Sequence, residues 1–329
     1  MQSIQSYQEL INNELQKRLQ QSTIQEPSGL YDPCKYILRN GGKRVRASLV
    51  LLAAKMFVSN YEKAIPVALA FETFHNFTLI HDDIMDDADI RRGQPTVHVK
   101  WDENTAILSG DAVMILAYTF FEEAREYVLD ILPLLNKTAL EVCEGQQYDI
   151  DLEKAALTDS ITNETQYIRM IELKTSVLLA ACLKAGAIVG GASAEDAQKL
   201  YEIGRKVGIA FQLQDDILDS YGNTETFGKK IGGDITENKK TYLVITALNN
   251  LNENDKQELI RLYAQKSDDI QKYVQVRALF DKAQVHEKTT NAMNTLFEEA
   301  HTILNSLSIA DDKKRELHTF IEELRTRKN

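Results

Sequence analysis

Apolar residues recur about every 3.6 positions through 134–149, 163–189, 194–219, 239–251 and 284–306, segments also rich in Leu, Ala, Ile, Glu and Lys, the pattern of helices that bury one face. No stretch sustains apolar/polar alternation between hairpin turns, so no sheet is predicted. Prolines stand at 27, 33, 66, 95 and 133, which leaves everything after Pro133 free to run as long helices. Polar or glycine-rich breaks fall at Pro27–Gly29, Gly41–Gly42, Gly93–Pro95, Gly190–Gly191, Tyr221–Gly233 and Asn249–Asp255, and none resembles an interdomain linker. The expected architecture is all-α: a single large helical domain over 1–329, of roughly a dozen helices. It would open with a frayed amphipathic helix and end in a basic tail, "RTRKN".

Composition narrows the function. Of 329 residues, 43% are hydrophobic and 26% charged, with a net charge of -11. Such a chain does not bind nucleic acid over a broad surface, and any anionic ligand must be gripped locally. Cys34, Cys143 and Cys182 have no paired spacing, so neither a disulfide framework nor a zinc site is predicted, and a cytoplasmic setting is expected. The N-terminal "MQSIQSYQELINNELQKRLQ" has no apolar leader and no eighteen apolar residues run uninterrupted, so no transmembrane or targeting segment is expected.

The chemistry-bearing feature is acidic and occurs twice. "LIHDDIMDDADIRRG" places Asp82, Asp83 and Asp86 at i, i+1 and i+4, and "FQLQDDILDSYG" repeats the spacing as Asp215, Asp216 and Asp219. A single such pattern is common on solvated helix faces. Each copy ends a predicted helix, where the macrodipole disfavours negative charge, so neither is explained by capping. Two carboxylates about 6 Å apart repel by roughly 3 kcal/mol at an effective dielectric near 20. In a cleft, protonation or cations must relieve that repulsion, and hard oxygen ligands suit Mg²⁺ shared with a substrate's phosphates. Neither copy has the alternating loop of an EF-hand.

Cations supply the other half. "GGKRVR" follows a Gly-Gly break and offers Gly42, Lys43, Arg44 and Arg46 at a candidate helix start. Arg91 and Arg92 follow the first acidic cluster, Lys174 lies in "ELKTSVLLAA", and Lys229, Lys230, Lys239 and Lys240 follow the second. Taken alone, "GGKRVR" reads as a charged helix start, each of the other cations as solvated surface charge, and His75 and His81 as core or capping histidines. Together they predict a cleft for diphosphates bridged by Mg²⁺.

"GGKRVR", "HNFTLIHDDIMDDADIRRGQPTVH", "EGQQYD", "ELKTS", "FQLQDDILD" and "FGKKIGGDITENKKTY", in this order, resemble the motifs of the trans-isoprenyl diphosphate synthases, the polyprenyl synthetases, over nearly the whole chain. The resemblance implies an all-α fold around a deep cavity, a homodimer, and aspartate-rich helix ends facing each other across the cavity mouth. It implies that Asp82 and Asp86 ligate two Mg²⁺ ions and Asp215 a third, with Asp83, Asp216 and Asp219 in support. Arg91, Lys174, Gln212, Lys239 and one of Lys229 or Lys230 would grip the allylic diphosphate (dimethylallyl, geranyl or farnesyl). Gly42, Lys43, Arg46, His75 and Arg92 would bind isopentenyl diphosphate. The arginines would thus serve diphosphates rather than neutralise the aspartates, and Asp87 and Asp89 would be solvated.

The implied reaction ionises the allylic C1–O bond, with the cation steadied by the Thr175 hydroxyl and the Gln212 carbonyl, joins C1 to isopentenyl diphosphate and loses a proton to the released diphosphate. Phe77 and Thr78, five and four residues before the first aspartate, would set chain length with Phe74, for a C20 product and C15 next. On a helix Thr78 lies near the stripe of Asp82, whereas Phe77 is turned about 140° from it. Ala47, Ser176 and Asn238 depart from a usual proline, a small residue and a common glycine. The rival readings are a terpene cyclase, in which "DDILD" would be replaced, and a non-catalytic subunit of a heteromeric synthase, which would have lost a metal motif.

Overall fold

The structure, a computed structural model, describes residues 3–21, 26–222, 232–264, 267 and 269–327, and helix accounts for 80% of it. In chain order the helices are α1 (Gln5–Gln21), α2 (Ser28–Arg39), α3 (Val45–Lys55), α4 (Ile65–Met85), α5 (Val97–Lys100), α6 (Glu103–Thr119), α7 (Val128–Lys154), α8 (Glu164–Ile171), α9 (Val177–Gly190), α10 (Ala194–Tyr221), α11 (Gly233–Thr236), α12 (Tyr242–Asn250), α13 (Glu253–Leu262), α14 (Ile270–Lys282), α15 (Val285–Asn305) and α16 (Asp311–Arg325). The short polar breaks act as caps. Asp102, Asn163, Asn252 and Asp269 each accept a backbone N–H of the helix that follows, satisfying donors that a helix start leaves open.

The chain divides into two compact units, the first comprising Met1–Leu135, Ala181–Tyr201 and Ser308–Phe320, the second Asn136–Ala180, Glu202–Leu307 and Ile321–Asn329. In the first unit α4 is apolar on nearly every side, with Val67 to Phe71 and Phe74 buried, which makes it a central helix. It packs on α3 and α6. Contrary to the expected fraying, α1 is docked: Tyr7, Ile11 and Leu15, four residues apart, are buried, and the helix packs on α3. The absence of sheet needs one correction. Ile90–Arg91 pairs with Gln94–Pro95 in a two-stranded hairpin, too short for alternation to reveal. Arg92 and Gly93 both have positive φ, 54° and 74°, as a two-residue turn of the type that matches strand twist requires.

The core of the second unit is built from α10, α12, α14 and α15, through buried Leu213, Ile217, Leu243, Val244, Val276, Phe280 and Phe297. Between α8 and α9 the backbone widens into a π-helical turn, Glu172–Ser176. Two helical stretches, Glu103–Glu122 and Glu164–Gly190, are long and apolar enough to cross a membrane by length and composition, with 33% and 72% of their most apolar stretches buried. Scattered polar residues hide both from a search for uninterrupted apolar runs.

Candidate active site

The first acidic cluster forms the last turn of α4. Asp86 is the C-cap, its N–H bonded to the Asp82 carbonyl at 2.9 Å, so the two residues stand one turn apart on one side of the helix end. Asp83 is turned about 100° from Asp82 and is 1% exposed. Its Oδ1 accepts from Arg91 Nε at 2.6 Å, and Arg91 Nη2 lies 3.6 Å from Asp82 Oδ2. Asp83 Oδ2 is sealed from solvent without a hydrogen-bond partner. Burial raises the Asp83 carboxyl above the ordinary range, with Arg91 opposing the rise. Asp82 and Asp86 offer hard carboxylate oxygens at this helix end, the donor type that suits a divalent cation, although among the described residues no three acidic or imidazole side chains converge to hold one. Asp87 and Asp89 are exposed.

The neighbouring arginines part company at the hairpin turn. The expectation that neither serves the aspartates fails for Arg91, which pairs with Asp83, whereas Arg92 Nη1 donates to the Gly41 carbonyl at 2.5 Å. There the backbone of Gly42 takes φ +112°, and a Cβ on it would sit 2.6 Å from Arg92 Cζ, so glycine admits the guanidinium. Arg44 corrects another expectation. It is 3% exposed and bonded to Asn12, the Leu38 carbonyl and Glu72, a structural role that leaves no face for phosphate. Arg44 is the arginine bonded to Glu72, and Arg46 and Arg92, which share the attraction of that carboxylate, gather with it around His75. Arg46 Nε is sealed from solvent without a hydrogen-bond partner. Burial, then the positive charges of Arg46, Arg92, Arg91 and Arg44, pull His75 well below the ordinary imidazole range. Gly42, Arg46, His75, Arg91 and Arg92 are thus brought together, with Lys43 exposed beside them.

In the second unit Asp215 and Asp219 stand one turn apart near the end of α10. Asp215 pairs with Arg327. Asp219 Oδ2 accepts the Asp234 N–H at 3.0 Å and so caps α11. Asp216, turned away from both, is 3% exposed; its Oδ2 accepts from Tyr167 Oη at 2.6 Å and the Tyr242 N–H at 3.3 Å. Burial and the nearby Asp234 push its carboxyl well above the ordinary range. Asp216, like Asp83, thus faces the protein interior at its helix end. Lys174 and Thr175 lie on the π-helical turn, a frequent feature of functional sites, and Lys174 Nζ donates to Asp149 Oδ2 at 2.6 Å. Gln212 is half-buried, three residues before Asp215. Lys239 Nζ lies 3.3 Å from Asp234 Oδ1 and 3.5 Å from Glu237 Oε2. Lys229 and Lys230 lie outside the described residues.

Phe74, Phe77 and His81 follow one another along α4, the first pair of rings tilted and the second edge-on, with centroids 5.6 and 4.9 Å apart. Phe77 packs against a core cluster that includes Ile37, Ile80 and Val113, and Thr78 Oγ1 is bonded to the His75 carbonyl at 2.8 Å. Phe77 therefore points into apolar packing rather than along the stripe of Asp82, as the helical geometry predicts.

Residues 27–280 match the polyprenyl synthetase family. The chain belongs to that family. A geranylgeranyl diphosphate synthase of Methanosarcina mazei is 46% identical over 227 residues, covering 68% of this chain and 69% of the relative. A crystal structure of a geranylgeranyl pyrophosphate synthase is 42% identical and superimposes with a TM-score of 0.91, covering 99% of each chain. A polyprenyl synthase of Caulobacter crescentus, complexed with calcium and isoprenyl diphosphate, has 25% identity and a TM-score of 0.84, covering 98% of this chain and 95% of that one. The protein is accordingly a prenyltransferase of the isoprenyl diphosphate synthase class.

Within this polyprenyl synthetase, each sequence departure has a local counterpart. Ala47, where proline is usual, donates its N–H to Glu72 Oε2 at 3.3 Å, which proline cannot do. Ser176 Oγ bonds the Ile171 carbonyl at 3.3 Å, five residues back across the π-helical turn. Asn238 adopts φ +60°, a left-handed position that glycine takes freely and asparagine tolerates. Asp149 and Asp234, which lie within "EGQQYD" and "FGKKIGGDITENKKTY" but carry no role implied by the resemblance, and Tyr167, which no motif contains, are the partners of Lys174, Lys239 and Asp216. Glu72 carries a readable signal, the one acid in "VALAFETFHNF", directly behind the apolar run Val67 to Phe71.

Proposed function

We propose that the protein condenses isopentenyl diphosphate head to tail with an allylic diphosphate, dimethylallyl, geranyl or farnesyl, and that its product is geranylgeranyl diphosphate (C20), with farnesyl diphosphate (C15) next. The observation that carries the reading is the guanidinium pair at the Gly41–Gly42 turn, where Gly42 admits Arg92 and Arg46 Nε is buried without a hydrogen-bond partner, since guanidinium donors gathered in a chain of net charge -11 suit an anion such as a diphosphate. The names of the relatives support the product length. Asp82, Asp86 and Asp215 would hold Mg²⁺, with Asp83 and Asp219 beside them, and the ions would supply Lewis-acid charge to the departing diphosphate.

This chain's own groups do the rest. Arg91, steered by Asp83, and Lys174, steered by Asp149, join Lys239 in neutralising the allylic diphosphate as charge develops on it. Arg46, Arg92, Lys43 and Gly42 hold isopentenyl diphosphate, and a neutral His75 offers a hydrogen bond there without a further charge. The Thr175 hydroxyl and Gln212 carbonyl turn dipoles toward the allylic cation, and the released diphosphate takes the proton. Phe77 and Phe74 close the floor for the growing chain.

A homodimer is part of this reading, supported by an apolar face on α6, where Leu108 is 59% and Ile115 60% exposed, an area suited to a second copy. Three free cysteines support a cytoplasmic setting. Mass analysis of products from each allylic diphosphate with isopentenyl diphosphate tests the proposal. C20 chains made only with Mg²⁺ are expected; no elongation, or elongation undiminished by EDTA, contradicts it.

A further inference from the structure

Lys272 on α14 is buried, with 6% of its surface exposed. Its Nζ donates to Asn238 Oδ1 and lies 3.4 Å from the Thr236 carbonyl and 5.6 Å from the centroid of the Tyr263 ring. Burying an ammonium group is unfavourable unless fixed dipoles receive it, and here the dipoles belong to the turn that precedes Lys239. Asn238 occupies the left-handed region, a conformation that needs support from its surroundings in a residue with a side chain. The neighbouring bonds are equally directed. Lys239 N–H donates to the Asp234 carbonyl at 2.9 Å, and the Asp234 N–H is held by Asp219 of the second aspartate cluster. The next residue of α14, Tyr273, bonds the Ser220 carbonyl at 3.1 Å, and its ring would lie 2.3 Å from a Cβ on Gly232. One face of α14 therefore grips the end of α10 and the turn that carries Lys239.

We propose that Lys272 is a positioning residue for Lys239, its bond to Asn238 holding the left-handed turn from which the Lys239 ammonium group reaches the allylic diphosphate. The proposal rests on the assignment of Lys239 under the proposed function. It also gives the asparagine at 238 a purpose that glycine does not serve, an oxygen for the buried ammonium group.

The test compares K272M, N238G, N238G/K272M and K239A in steady-state kinetics, with hydrogen exchange across 232–240. K272M should raise KM for the allylic diphosphate about tenfold, the loss of one charge-assisted bond, leave KM for isopentenyl diphosphate within about twofold, and speed exchange of the Lys239 amide. On the N238G background the same substitution should change the allylic KM by less than about twofold, because its partner oxygen is already gone. Equal effects on both backgrounds, an equal rise in both KM values, or unchanged exchange would overturn the proposal. K239A separates the two levels. An unchanged allylic KM there strikes the Lys239 assignment itself, whereas a raised KM in K239A beside a wild-type KM in K272M overturns only the positioning role.

Discussion

Gly42→Ala separates two effects that most substitutions mix. The new Cβ would lie 2.6 Å from Arg92 Cζ and 2.8 Å from Nη1, so the guanidinium must retreat by about 0.8 Å to reach ordinary van der Waals distance. Retreat is easy for the far end of a flexible side chain, and the clash itself adds little to instability. Instability comes from the backbone, since φ +112° is unfavourable for alanine by about 1–3 kcal/mol. The displaced Arg92 affects binding instead. A misplaced charge-assisted contact to diphosphate is worth about 1.5–3 kcal/mol, a rise of about 10-fold to 150-fold in KM for isopentenyl diphosphate. KM for the allylic partner should stay near wild type, while the melting temperature falls by several degrees. Arg92→Ala supplies the internal control, because adding G42A to it should lower the melting temperature again but raise KM for isopentenyl diphosphate little further. A G42A enzyme with reduced melting temperature and an unchanged KM would refute the reasoning, showing that the position of Arg92 does not matter to that substrate.

Asp82→Ala and Asp215→Ala should each lower kcat by about a hundredfold or more, as loss of a metal ligand does; a rate within the error of wild type would remove either residue from that role. Phe77→Ala should lengthen the product, and identical chain lengths by mass analysis would exclude Phe77 as the floor. His75 gives a pH dependence with a definite sign. Its folded pKa lies well below the ordinary value, so the unfolded chain binds a proton there below about pH 6.5 while the folded chain does not, and stability is lost as pH falls through that range. Chemical denaturation from pH 7.5 to 5 should find wild type losing stability relative to His75→Gln as pH falls; a constant difference between the two would contradict the depressed imidazole.

Helix pattern and motif order carried much of the fold and the candidate cluster in the sequence. The periodic segments 163–189 and 194–219 became α8 to α10, and the end-of-helix position of both aspartate clusters holds in α4 and α10. What periodicity could not supply is tertiary. Adjacent aspartates diverge on a helix, so Asp83 and Asp216 turn inward, but their partners Arg91, Tyr167 and the Tyr242 amide are known only once the chain is folded. Arg44 reads as one more cation of "GGKRVR" until Glu72 is placed beside it. The hairpin at Ile90–Pro95 escaped because two-residue strands have no period.

That hairpin has a consequence for how the chain can vary. Arg91 and Arg92 are adjacent in sequence, yet one is tied to Asp83 and the other to Gly41, and a left-handed turn of two residues sends them apart. Charge at both positions is therefore insufficient. An insertion of one residue after Arg91 would preserve every charge and its pairing with Asp83 while rotating the second guanidinium off the glycines. Loop length, as much as the two charges, therefore decides where the second guanidinium points.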